Sequence, residues 1–186
     1  MIELSIAEVA KTLQAKIKGN IETQPNFPSV SIDSRTIAPG QCFVAIKGTR
    51  LDGHNFLEEA LTKGASLIIH SDSRENLPIW EDRIFMQVDD TTSALQVLSH
   101  YVRKKWNRPV IAITGSMGKT TTREFISTLL GQRFQICQSP SNFNNEIGVP
   151  LSLLQLNEED DLAVLELGMN HSGEIRLLGN ISSPDF

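Results

Sequence analysis

Gly115, Gly118, Lys119 and Thr120 fall within a single stretch, TGSMGKTTTRE, at residues 114–124. The spacing reads G-x-x-G-K-[ST]. These residue types suit wrapping a chain around phosphate. Glycines allow successive backbone N–H groups to point at one anion and to approach it closely. A lysine next to them reaches the outer phosphates of a nucleotide, and the following hydroxyl can ligate Mg²⁺. The longer phosphate-loop pattern wants a further glycine where this chain has Ile113. Here Gly115 makes the turn instead, and Ser116 and Met117 fill the space before Gly118. The segment is therefore read as an ATP-binding loop made of Gly115, Ser116, Met117, Gly118, Lys119, Thr120 and Thr121, with Lys119 as a catalytic cation.

A phosphate loop that uses a metal needs a second metal group. In α/β folds a carboxylate at the end of a neighbouring buried strand supplies it. Glu166, next to last in the apolar run LAVLEL, residues 162–167, is the candidate metal ligand and catalytic residue. The alternative is a carboxylate merely exposed at a strand tip. The loop SNFNNEIGVP, residues 141–150, offers the amides of Asn142, Asn144 and Asn145. They could contact ligand or could simply form turns, which asparagine does well. His171, just beyond Glu166, is open in the same way. It could touch substrate or metal, or be a local helix cap or simply a solvated residue.

The elements that must position these groups read as alternating helices and strands. Ser5 and Glu8 form a capping-box pattern. Ile6, Val9, Ala10, Leu13 and Ile17 then share one face of a helix expected to stop near Gly19. Strands are expected at 42–48, 66–71 and 83–88, with a short helix over 54–65. A long helix follows Asp89, with Ala94, Leu95, Leu98, Tyr101, Val102 and Trp106 facing inward. Then come strand 108–114, the loop, and a helix burying Phe125, Ile126, Leu129 and Leu130. Strand 134–137, a helix over 147–156 entered through Pro150, strand 162–167 and a helix over 172–181 complete the pattern. Strand–helix alternation implies a parallel sheet. The expected fold class is α/β, with a small N-terminal α/β domain over residues 1–88 and a phosphate-loop-type parallel α/β domain over 89–186. The closing residues SSPDF stand where a further strand is due, so the second domain reads as incomplete.

The chain has 186 residues, 40% of them hydrophobic and 21% charged. The net charge of −5 and the lack of a basic tract argue against general nucleic-acid binding. The two cysteines, Cys42 and Cys137, show no metal or redox spacing. No signal peptide and no apolar run near membrane length is apparent. The reading is a cytoplasmic protein.

Together, TGSMGKTTTRE, SNFNNEIGVPLSLL and LELGMNHSGEI resemble the Mur ligase family of ATP-dependent amide-forming enzymes. Within it they are most similar to the branch that adds D-alanyl-D-alanine. The stretch SIDSRTIAPGQCFVAIKGTRLDGHNFLEEALTKGA is similar to the domain by which such enzymes hold the UDP end of their substrate. The resemblance implies ATP and Mg²⁺ as cofactors, with Lys119 on the triphosphate and Thr120 and Glu166 on the metal. It implies UDP-N-acetylmuramoyl tripeptide and D-alanyl-D-alanine as substrates. It also implies a monomer. Ile32, Ser34, Arg35, Thr49 and Arg50 become contacts to the uridine diphosphate. Asn144, Asn145 and His171 become substrate-side contacts. Family members have three domains, so this chain alone is expected not to catalyse ligation. A substrate-binding module without chemistry, or the diaminopimelate- or lysine-adding branch, are the alternatives.

Overall fold

The computed structural model describes residues 2–71, 82–140 and 142–186. The chain divides into two compact units, Glu3–Leu95 and Gln96–Phe186. Ile2 belongs with the second, where its N–H donates to the Leu156 carbonyl at 3.0 Å.

The first unit begins with α1, Ile6–Leu13, and its capping box is formed. The Glu8 N–H donates to Ser5 Oγ at 3.1 Å, and the Ser5 N–H donates to Glu8 Oε2 at 3.3 Å. Ile6, Val9 and Ala10 are buried beneath it. The helix does not run on to Gly19, as the periodicity predicted. Gln14 takes a left-handed conformation, φ 52°, and closes it. The chain then forms β1, Lys16–Lys18, antiparallel to β5, Ile84–Gln87. Ile17 is thus an exposed edge-strand residue and has no place on a helix face. Flanking lysines suit such an edge, because charge there discourages further strand pairing.

The other strands are β2, Val30–Ser31, β3, Cys42–Val44, and β4, Leu67–His70. The sheet order is β1-β5-β4-β3-β2, and β2 to β5 run parallel. β3 and β4 are buried throughout, which is why they read as unbroken apolar runs. A short 3₁₀ turn, Gly53–Phe56, leads into α2, Leu57–Thr62. Phe43, Ile68 and Phe85 of the sheet form a core with Leu57, Ala60 and Leu61 of that helix. α3, Thr91–Trp106, runs through the division between the units, with Ala94, Leu95, Leu98, Val102 and Trp106 buried.

The second unit contains β6, Val110–Ile113; α4, Lys119–Leu130; β7, Ile136–Gln138; α5, Gly148–Leu153; β8, Leu162–Glu166; and α6, Glu174–Ser182. Its sheet order is β6-β8-β7, all parallel. Strand side chains alternate between faces. Ile113, Leu162 and Val164 therefore share one face, on which Ile126 and Leu130 of α4 pack. Glu166 follows in the same alternation, opposite Ile113 in register, and so lies on the α4 side at the strand's end. The sequence had placed Phe125 and Leu129 inside as well. They are 66% and 52% exposed. At about 100° per residue, the stripe through Arg123, Ile126 and Leu130 meets the sheet, and Phe125 and Leu129 lie off it. A further strand is expected over the closing residues; residues 185–186 hydrogen-bond to β6 but form no strand of the three-stranded sheet. Ala112 N–H donates to the Phe186 carbonyl at 2.9 Å, and the Phe186 N–H donates to Val110 O at 3.3 Å. No helix among the described residues is long and apolar enough to cross a membrane.

Candidate active site

The loop after β6 is shaped by two glycines. Gly115 has φ +147° and Gly118 has φ +77°. Side chains rarely adopt such angles. A Cβ on Gly118 would meet nothing within 4 Å, so conformation and not space requires glycine there. Gly118 is also the N-cap of α4 and offers no side-chain cap. The first-turn N–H groups of α4 consequently have no side-chain acceptor from their cap, a ready anion site. Ser116, Met117 and Thr121 are exposed around them. Lys119 Nζ folds back and donates to the Gly115 carbonyl at 2.8 Å.

The site converges on Glu166, which is 3% exposed. Thr120 Oγ1 donates to its Oε2 at 2.8 Å, and Asn144 Nδ2 donates to its Oε1 at 2.9 Å. Its backbone N–H donates to Ser139 Oγ at 3.3 Å. Glu166 is therefore no exposed strand tip. Thr120 and Glu166 bring two hard oxygen ligands together, the kind Mg²⁺ accepts. Asn144 is held in turn by Gly168. The Gly168 N–H donates to the Asn144 carbonyl at 2.7 Å, and a Cβ at 168 would stand 2.9 Å from Asn144 Cγ.

The two asparagines divide the roles left open by sequence. Asn144 reaches the carboxylate, whereas Asn145 shapes the turn. Its Oδ1 accepts the N–H groups of Ile147 at 3.2 Å and Gly148 at 2.8 Å, at the start of α5. Ser141, at the head of that loop, lies outside the described residues. His171 is a solvated side chain, 83% exposed, and does not cap α6, whose N-cap is Gly173. Its Nδ1 lies 3.0 Å from Glu174 Oε1, while the N–H groups of Asn170 and His171 donate to Glu174 Oε2. These bonds, the Asn170 N–H foremost, hold the Glu174 carboxyl below its usual range. Lys119, Asn144, Asn145, Met169, His171 and Leu177 nonetheless line one cleft of about 260 Å³.

A separate cleft of about 450 Å³ lies in the first unit, lined by Ile32, Ser34, Arg35, Phe43, Leu51 and Phe56 among others. Ser34 is buried there, and its hydroxyl donates to Glu59 Oε2 at 2.7 Å. Lys63 Nζ donates to the carbonyls of Ser34 and Arg35 and to Glu59 Oε1, tying this loop to α2. Thr49 and Arg50 are exposed on the adjoining turn, which the Lys47–Asp52 bridge closes and whose Leu51 lines the cleft.

Arg123, Ser139 and Gly168 escaped the sequence reading. Arg123 carried a usable signal: it stands one turn after Thr120, which puts a cation on the same side of α4. Placing Phe125 and Leu129 inside hid that face. Burial raises Cys42 well above its usual range and pushes Cys137 up to about 12.

Residues 26–130 match the Mur ligase family, catalytic domain, and residues 113–186 match the Mur ligase middle domain. The UDP-N-acetylmuramoyl-tripeptide–D-alanyl-D-alanine ligase of Bacillus subtilis is 36% identical over 185 residues, which is 100% of this chain and 40% of that enzyme. The crystal structure of MurF from Acinetobacter baumannii superposes with a TM-score of 0.87 at 33% identity, covering 99% of this chain and 40% of that one. MurF ligase from Thermotoga maritima, in complex with ADP, gives 0.75 at 34% identity over 86% of this chain and 36% of that one. The chain thus spans about two fifths of the length of the relatives it matches.

Proposed function

Because the chain belongs to the Mur ligase family, we propose that it carries the UDP-substrate and nucleotide sites of an ATP-dependent amide ligase. The reaction joins D-alanyl-D-alanine to UDP-N-acetylmuramoyl tripeptide in peptidoglycan precursor synthesis. The observation that carries the reading is the Thr120–Glu166 hydrogen bond at 2.8 Å. It joins the hydroxyl of the phosphate loop to the carboxylate at the end of β8. These are the two groups such an enzyme needs beside its triphosphate.

The chemistry begins with a carboxylate oxygen of the tripeptide attacking the γ-phosphorus of ATP. The bond from that phosphorus to the bridging oxygen breaks, and ADP leaves. The amine of D-alanyl-D-alanine then attacks the acyl phosphate carbon, loses a proton and expels phosphate. Phosphorylation supplies the leaving group that a bare carboxylate lacks. Two anions must approach in the first step, so positive charge and oriented N–H groups dominate its catalysis. Lys119 and the α4 N-terminus serve the phosphates. Thr120 and Glu166 would hold Mg²⁺, which supplies further charge neutralisation when bound. Asn144 orients the Glu166 carboxylate. Asn145 and His171 act as wall residues of the cleft. Ile32, Ser34 and Arg35, with Thr49 and Arg50 at the turn, serve the uridine diphosphate, with Ser34 shaping the loop from beneath.

Calorimetry tests both sites. The chain is expected to bind Mg²⁺–ADP and UDP-N-acetylmuramoyl tripeptide separately, and Lys119→Ala is expected to remove only the first. A chain that binds the UDP peptide but no nucleotide is a substrate module, and the proposal fails. With all three substrates, phosphate release by these 186 residues alone is expected to be absent; clear turnover would show that they suffice for ligation.

A further inference from the structure

Arg123 is a guanidinium almost wholly inside the protein, with its side chain 3% exposed. Burying such a charge is costly unless a partner offsets it. Its Nη2 donates to Glu124 Oε1 at 2.5 Å, and its Nη1 makes a long bond, 3.4 Å, to the Pro140 carbonyl. Nε is buried without a hydrogen-bond partner. Glu124 is 57% exposed, so pairing with it alone does not require the guanidinium to lie inside. What lies inside is Glu166: Arg123 Nη1 stands 3.8 Å from its Oε2, and the two side chains are 3% and 4% exposed.

The 3.8 Å spacing matters. A closed, bidentate arginine–carboxylate pair would occupy the oxygens that a metal needs. Here Oε2 accepts from Thr120 and Oε1 from Asn144, and the guanidinium stands off at 3.8 Å as countercharge. Glu124 keeps it there, itself fixed by Gln138 Nε2 at 2.8 Å. Outer partners of this kind orient a metal's ligands, and their loss typically costs about 10- to 100-fold in metal affinity.

We propose that Arg123 is the positioning residue of the metal-binding carboxylate, holding Glu166 beside Thr120 while Glu124 restrains the guanidinium from closing on it. The inference rests on the nucleotide–Mg²⁺ reading above. Its test is Mg²⁺ titration of fluorescent ADP binding to the chain, with metal-free ADP affinity measured alongside. In Arg123→Met, the Mg²⁺ needed for half the affinity gain is expected to rise about tenfold, while metal-free ADP affinity holds. Arg123→Lys is expected to recover most of the loss. Glu124→Gln changes a side chain that is half exposed. It is expected to weaken Mg²⁺ dependence severalfold, because the released guanidinium closes on Oε2. Wild-type Mg²⁺ dependence in either Arg123→Met or Glu124→Gln overturns the proposal. So does an Arg123→Lys variant no better than the methionine one, or a metal-free affinity that falls in step with the metal-dependent one. If Arg123→Met does not fold, the lysine and glutamine variants decide. A wild-type chain that binds ADP without any Mg²⁺ effect overturns the metal reading itself, which separates that failure from one confined to Arg123.

Discussion

Arg35 has a side chain 80% exposed, yet it is already engaged. Its Nε and Nη2 donate to the two carboxylate oxygens of Asp33 at 2.9 and 2.7 Å. The Arg35 side chain, and then its backbone N–H, lower the Asp33 carboxyl from 3.8 to about 2. Because the folded value is depressed, the pair's contribution to stability is present above pH 3.8 and is lost as pH falls through about 2. Exposure keeps that contribution small. The pair bears on the proposed uridine diphosphate site: a diphosphate bound at this cleft would share Arg35 with Asp33 or take it away. In an NMR titration the Asp33 carboxyl is expected to turn over near pH 2, and Arg35→Ala is expected to move it up towards 3.8. Saturating UDP is expected to move it the same way. An Asp33 midpoint indifferent to Arg35→Ala would show that the hydrogen bonds do not set it.

At the scale of elements, the start of α1 can be checked by stability. Ser5 Oγ accepts the Glu8 N–H, one of the orphan donors of the first turn. Ser5→Ala should lower the unfolding free energy in urea by about 1 kcal/mol; a change indistinguishable from zero would mean the box contributes nothing. This start was legible because capping is local chemistry with a fixed spacing. The end was not. Ile17 continues the apolar period of α1, and nothing in Gln14 announces a left-handed residue, a conformation usually left to glycine or asparagine. The stop comes from pairing with β5, which lies far along the chain. The same division runs through the site. The glycines, Lys119, Thr120 and Glu166 stood out because a parallel strand ending in a loop and a helix has a known site at that edge. Arg123 and the Gly168–Asn144 contact depend on which stripe of α4 meets the sheet and on how closely two loops approach. Periodicity alone did not resolve either. β2, only two residues long, left no pattern to read.

At the scale of the molecule, a chain of net charge −5 is proposed to bind two polyanions. Long-range attraction cannot supply that, so each ligand must be met by local groups, and each unit has its own. In Gln96–Phe186 the groups proposed for this are the α4 N-terminus and Lys119, with Thr120 and Glu166 for the Mg²⁺ that would accompany the phosphates. In Glu3–Leu95 they are the loop carrying Arg35 and the walls formed by Phe43 and Phe56. Both sites follow the ends of parallel strands, one after β2 and one after β6 and β8. Each unit has an apolar cluster beside its site, Phe43 and Phe85 with α2 in the first and Ile113 and Val164 with α4 in the second. Ligand protection in hydrogen exchange should therefore map by unit. Mg²⁺–ADP is expected to slow exchange over residues 115–121 and 166–170. UDP is expected to slow it over residues 32–36 and 43–56. Protection by UDP in the phosphate loop, with none around Arg35, would place the uridine nucleotide in the wrong cleft and remove the first unit's proposed role.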